Sequence, residues 1–137
     1  MARWLLPTIG YIVALGALGI TGKLAVRTLP WQTLVVVTTV GYAIVSVALA
    51  GLGSVRFQWN IDLFWAAMSA ALAIGSLIFL YLALGTGEAS KVVPISAAYP
   101  AVTLVLAAIF LSEALTPARI AGLLLVIGGV VVLTGFK

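Results

Sequence analysis

The chain has 137 residues, 64% of them hydrophobic and 7% charged, with a formal net charge of +4. Soluble domains run about 45–50% apolar and about 25% charged, so this composition excludes a water-facing globule. Cysteine and histidine are both missing, which removes a disulfide framework, thiolate metal sites and the usual general base.

A bilayer core roughly 30 Å thick needs about 20 mostly apolar residues per spanning helix. Five stretches meet that length, and they predict an all-α integral membrane protein occupying residues 1–137 as one domain. The first runs from Trp4 to Gly22. Met1-Ala2-Arg3 ahead of it has the outline of a signal peptide, but Pro7 interrupts the run, which also exceeds the usual hydrophobic region. It is read as a retained span. Leu29-Pro30 ends the first hairpin, and Pro30 can open the second span, Trp31 to Leu52, because a first-turn residue has no N–H bond to lose. Gly51, Gly53 and Ser54 stop it. The longest connection, Ser54 to Ile61, carries Arg56 and Trp59 and suits the headgroup region. The third span, Leu63 to Leu84, closes at Gly85-Thr86-Gly87, and Ser90 is the expected cap of the fourth, Val92 to Leu111. Thr116-Pro117 forms a cap and first-turn pair for the fifth, Ile120 to Phe136. Short connections make successive spans antiparallel neighbours.

Polar residues within the spans fall at helical spacing. Thr8 and Tyr11 pair in the first span. Gln32, Thr39, Tyr42 and Ser46 share a stripe in the second, as do Trp65, Ser69 and Ser76 in the third and Ser96, Tyr99 and Thr103 in the fourth. Two readings are open: helix-to-helix or own-backbone hydrogen bonds, or a shared, partly hydrated cavity. The fifth span has no polar side chain between Ile120 and Leu133, only aliphatics and glycines, and is built for packing.

The seven basic residues, Arg3, Lys23, Arg27, Arg56, Lys91, Arg119 and Lys137, stand singly at span ends. No cluster tracks phosphates, so nucleic acid is not an expected partner. With five spans, Arg3, Arg56 and Arg119 share one side with the N-terminal amine, and Lys23, Arg27, Lys91 and Lys137 lie on the other. The positive-inside rule needs an excess that this balance does not supply. Either one or two loop charges suffice, or the chain inserts both ways and pairs with an inverted copy, as in transporters built from inverted repeats.

The three acidic residues, Asp62, Glu88 and Glu113, all sit at span ends, so no mid-membrane carboxylate marks proton coupling. Glu113 suits a structural job beside Thr116-Pro117, with coupling as the alternative. Lys91 near a helix start opposes the dipole and needs a partner: Glu88, a lipid phosphate or an anionic substrate group. Lys23 and Lys91 either snorkel to the headgroups or attract a metabolite carboxylate. Pro100 inside the fourth span frees the Ser96 carbonyl beside Tyr99 and Thr103, as mere shape or as a cavity lining. Pro94 falls in the first turn.

The run from Tyr81 through Gly85-Thr86-Gly87-Glu88-Ala89-Ser90-Lys91 to Pro94, then Tyr99-Pro100, Phe110-Leu111-Ser112-Glu113 and Thr116-Pro117, resembles the EamA-like domain of the drug/metabolite transporter superfamily. Members usually carry two such five-helix domains in inverted tandem. The resemblance implies that this chain is one half of a ten-helix fold, completed by an antiparallel homodimer. Gly122 to Val130 also resembles the dimer-forming last helix of small multidrug resistance proteins, which implies dimer packing at Gly122, Val126 and Gly129. Those exporters carry a first-helix glutamate that is absent between Tyr11 and Gly22 here.

The expectation is a multi-pass inner-membrane transporter, not an enzyme, with no cofactor and no metal. Its partners are the lipid bilayer, a second copy and a small-molecule substrate, either a polar metabolite or a drug-like compound. The expected cavity is lined by Tyr11, Lys23, Thr39, Tyr42, Trp65, Ser69, Ser76, Lys91, Ser96, Tyr99, Pro100 and Thr103. A non-transporting accessory or scaffold subunit is the alternative.

Overall fold

The computed structural model describes residues 4–53, 55 and 59–135. Arg3, Ser54, Arg56, Phe136 and Lys137, which enter the boundary and charge arguments, lie outside them. Six helices follow one another: α1 Leu5–Ala25, α2 Trp31–Gly51, α3 Ile61–Thr86, α4 Ala89–Ser96, α5 Tyr99–Phe110 and α6 Pro117–Gly135. No strand occurs among the described residues. Five stretches are long and apolar enough to cross a membrane, with α4 and α5 together forming the fourth.

Local chemistry sets most of these boundaries. Pro30 stands in extended backbone one residue ahead of α2, where its missing N–H costs nothing. Gly53 takes a φ of 68° just beyond α2 and donates to the Ala50 carbonyl, a left-handed stop that glycine adopts freely. Asn60 caps α3, its Oδ1 accepting the Leu63 N–H at 3.2 Å, so the helix begins two residues earlier than expected. Asp62 suits that first turn, where a carboxylate favours the helix dipole. Thr116 accepts the Arg119 N–H at 3.3 Å, making the predicted cap of α6 with Pro117 as its first residue.

The fourth span differs from expectation in two ways. Its first helix starts at Ala89 with Glu88 rather than Ser90 in the cap position, which puts Pro94 beyond the first turn. The span is also not one kinked helix. It breaks at Ala97 and Ala98, whose N–H groups reach back three residues, to Pro94 and Ile95, and Pro100 lies in the first turn of α5. Two prolines six residues apart supply no N–H to the Ser90 and Ser96 carbonyls, and between them the Ala97 N–H is shared by the Val93 and Pro94 carbonyls as the backbone tightens.

The contacts gather into two compact units, Met1–Thr86 and Gly87–Lys137. In the first, α3 packs against both α1 and α2. Its buried residues are Gly19 and Gly22 of α1, Leu34 of α2, and Tyr81 and Leu84 of α3. All five lie near one end of the unit, where α1 and α3 finish and α2 begins. A Cβ on Gly22 would stand 3.2 Å from Leu84 Cδ1 and 3.4 Å from Tyr81 Cε1, so glycine is what allows this approach. The same helix faces part toward the other end. Exposure climbs from 0% at Leu84 and 4% at Tyr81 to 53% at Ile74, and from 7% at Leu34 to 56% at Val45. On the Gly22 face of α1, Tyr11 is 52% exposed. The unit is a wedge, joined at one end and open at the other.

In the second unit α4 packs on α6. The turn into α6 passes through Ser112 at a φ of 55°. Arg119 Nη1 braces this turn, reaching Glu113 Oε2 at 3.3 Å and the Ala114 carbonyl at 2.9 Å.

Candidate functional site

Two sets of polar side chains stand out, one in each unit. At the joined end of the wedge, Lys23 in the last turn of α1 donates from Nζ to the Leu84 carbonyl at 2.8 Å. That carbonyl belongs to the last turn of α3, where oxygens lack intrahelical donors and the dipole is negative, so an ammonium is favoured there. On α2, four residues beyond Leu34, the Thr38 hydroxyl meets the Tyr81 hydroxyl at 3.0 Å. Lipid supplies no hydrophobic drive between helices, and such hydroxyl pairs contribute about 0.6 kcal/mol on average. Close packing over Gly22 supplies the rest. A cavity of about 300 Å³ lies beside this joint, lined by residues that include Trp31, Tyr81 and Thr86.

The second set lines a groove of about 650 Å³ between α5 and α6. Tyr99, Pro100 and Thr103 form its α5 wall together with Leu104 and Ala107, and Gly122, Leu123 and Val126 form its α6 wall. The Glu113–Arg119 ion pair stands at one end. Residues expected to line a cavity and residues expected to pack a dimer therefore share one groove. Gly129 continues the α6 stripe one turn on, and a Cβ there would meet nothing within 4 Å.

The remaining expected positions are placed as follows. Thr39 Oγ1 donates to the Val35 carbonyl at 2.8 Å, Ser76 Oγ to Ala73 at 2.8 Å, and Ser96 Oγ to Val93 at 2.7 Å. Thr103 Oγ1 reaches the Tyr99 carbonyl at 3.4 Å. These hydroxyls satisfy themselves on their own helices. Thr39 lies five residues from Leu34, roughly 140° round α2 from the face that meets α3. Tyr42 and Ser69 are exposed, and Trp65 is exposed with its ring edge-on to Phe64 at 5.4 Å. Of the partners left open for Lys91, the structure provides Glu88, with Nζ 2.9 Å from Oε2.

Sequence reasoning missed Thr38, Tyr81 and Gly22. The signal for Gly22 was present: Gly19, Gly22 and Lys23 share one face of α1 at the spacing of close helix contacts. Periodicity sets Thr38 about 100° round the helix from Thr39, but it does not say which of the two faces meets another helix.

Five apolar spans define an all-α, multi-pass membrane protein. The profile of the EamA-like transporter family matches residues 2–135. A protein of Methanocaldococcus jannaschii, the uncharacterized protein MJ1333.1, is 35% identical over 100 residues, covering 73% of each chain. The chain belongs to the EamA-like transporter family. No solved structure matches it.

Proposed function

We propose that this chain is a half-sized transporter that moves a small polar metabolite or drug-like compound by alternating access. The working unit is an antiparallel homodimer in the inner membrane. Family membership across residues 2–135 is the observation that carries this reading. Five apolar spans, near-balanced flanking charge and a groove on α5 and α6 support it. In this reading the cavity draws on Tyr11, Tyr42, Trp65, Ser69, Tyr99, Pro100 and Thr103, and dimer packing draws on Gly122, Val126 and Gly129. Binding energy must differ between the two facing states for a solute to shift them.

A second reading, an accessory or scaffold subunit that moves nothing, draws on the hydroxyls of Thr39, Ser76, Ser96 and Thr103, which already bond their own helices. The separating experiment is counterflow in proteoliposomes against a panel of amino acids, sugars, nucleosides and organic cations. Accumulation of any one above protein-free vesicles supports transport, and none across the panel favours the accessory reading. The chain has no cysteine, so single cysteines placed in one loop and labelled from each side report orientation. Labelling from one side only would overturn the antiparallel dimer.

A further inference from the structure

We infer that the joined end of the α1–α2–α3 wedge is a gate, which closes one mouth of the solute pathway and opens when the last turn of α3 leaves α1 and α2. The inference rests on the transporter reading.

Its first support is asymmetry along shared faces. Leu34, Thr38, Gly41 and Val45 form one face of α2, yet Leu34 is buried and Val45 is 56% exposed. The corresponding α3 face runs from Leu84, fully buried, to Ile74, half exposed. The unit is sealed at one end and open at the other, as a pathway with one closed mouth requires.

Its second support is the chemistry of the seal. Polar links crossing it include the Lys23–Leu84 carbonyl bond and the Thr38–Tyr81 hydroxyl pair. Three of the four groups have another partner within reach once the links break. Thr38 can turn onto the carbonyl four residues back, as neighbouring Thr39 does and as Thr21 does in α1. Lys23 lies at a span end, where its stem lets the ammonium reach headgroups and water, and water at the same depth can take the Leu84 carbonyl. Opening therefore strands at most the Tyr81 hydroxyl in hydrocarbon, which keeps small the penalty that holds most intramembrane contacts shut. The apolar part is small, with Leu34, Tyr81 and Leu84 as the buried large side chains among the described residues.

The test uses single cysteines in the otherwise cysteine-free chain, in nanodiscs, with the cationic thiol reagent methanethiosulfonate-ethyltrimethylammonium as probe and mass spectrometry as readout. Leu34→Cys reports the seal and Val45→Cys the open end. Val45→Cys should be modified at least about tenfold faster than Leu34→Cys. Adding Tyr81→Phe should raise the Leu34→Cys rate about threefold and Lys23→Met about fivefold or more, while Val45→Cys changes less than twofold, and Lys23→Arg should keep the seal. Three results would each overturn the gate: equal rates in the parent chain, a Leu34→Cys rate that neither substitution moves, or both reporters rising together as general loosening would cause. The reagent needs no solute, so an empty transport panel counts against the transporter reading alone.

Discussion

The two ends of the three-helix wedge are made of the same helices, equally apolar, and only one is packed. At the joined end, Gly22 removes a side chain so that Tyr81 and Leu84 can approach α1. Further along the same helix, Gly10 and Gly16 lie about 120° round from the Gly22 face, and a Cβ on either would meet nothing within 4 Å. Hydrophobicity does not choose between them, since lipid tails are as apolar as leucine. Shape complementarity and a few hydrogen bonds do. A glycine therefore has two meanings in this chain: a close approach where a large residue opposes it, and a vacancy where none does.

The largest effect that can break this comparison is Gly22→Leu. A branched side chain placed where even a Cβ lies 3.2 Å from Leu84 must push α3 away. Overpacking of this kind costs about 1–3 kcal/mol. The same substitution at Gly16 meets nothing and gains helix propensity, so it should be neutral or stabilising by under about 1 kcal/mol. Unfolding in mixed detergent and dodecyl sulfate measures both. Equal losses at the two sites would show that the ends do not differ.

Next in size is the hydroxyl pair. Tyr81→Phe keeps the ring packed and removes only the oxygen facing Thr38, so the expected loss is about 0.6 kcal/mol and no more than about 1.7. Thr38→Val should cost a similar amount, and the double variant little more than either, because both delete one bond. Fully additive losses would mean that the two hydroxyls do not interact in the membrane. Thr39→Val, whose hydroxyl stays on its own helix, should show no coupling to Tyr81.

These contrasts also mark how far the sequence could be read. The second span was predicted as Trp31 to Leu52 and runs Trp31–Gly51, because hydropathy and Pro30 act locally. Thr116-Pro117 was legible for the same reason. The break at Ala97 and Ala98 was not, since a proline inside a span is compatible with a kink as well as with a break. Asn60 was overlooked as a cap because apolar counting began at Leu63. The joint at Gly22, Thr38 and Tyr81 depends on which faces meet across helices, and one chain's periodicity carries no such information. The stripe of Gln32, Thr39, Tyr42 and Ser46 excludes Thr38, yet Thr38 is the hydroxyl that meets α3.

The smallest effect separates two lysines that the sequence treats alike. Lys23 and Lys91 were both expected to snorkel or to draw an anion, yet their surroundings differ. Lys23 is half-buried on a helix-end carbonyl, whereas Lys91 pairs with Glu88 while their side chains stay 47% and 67% exposed. A charge-assisted bond to a partly sheltered carbonyl contributes about 1.5–3 kcal/mol at most, so Lys23→Met should lower stability by roughly 1 kcal/mol or more. An exposed pair three residues apart on a helix gives about 0.2–0.5 kcal/mol and weakens with salt. Lys91→Met should therefore shift unfolding by under about 0.5 kcal/mol, and the shift should shrink as salt rises from 0.05 to about 1 M, where the Debye length falls to about 3 Å. A salt-insensitive loss at Lys91 as large as that at Lys23 would place Lys91 in a sheltered contact instead, one that its 2.9 Å approach to Glu88 does not account for.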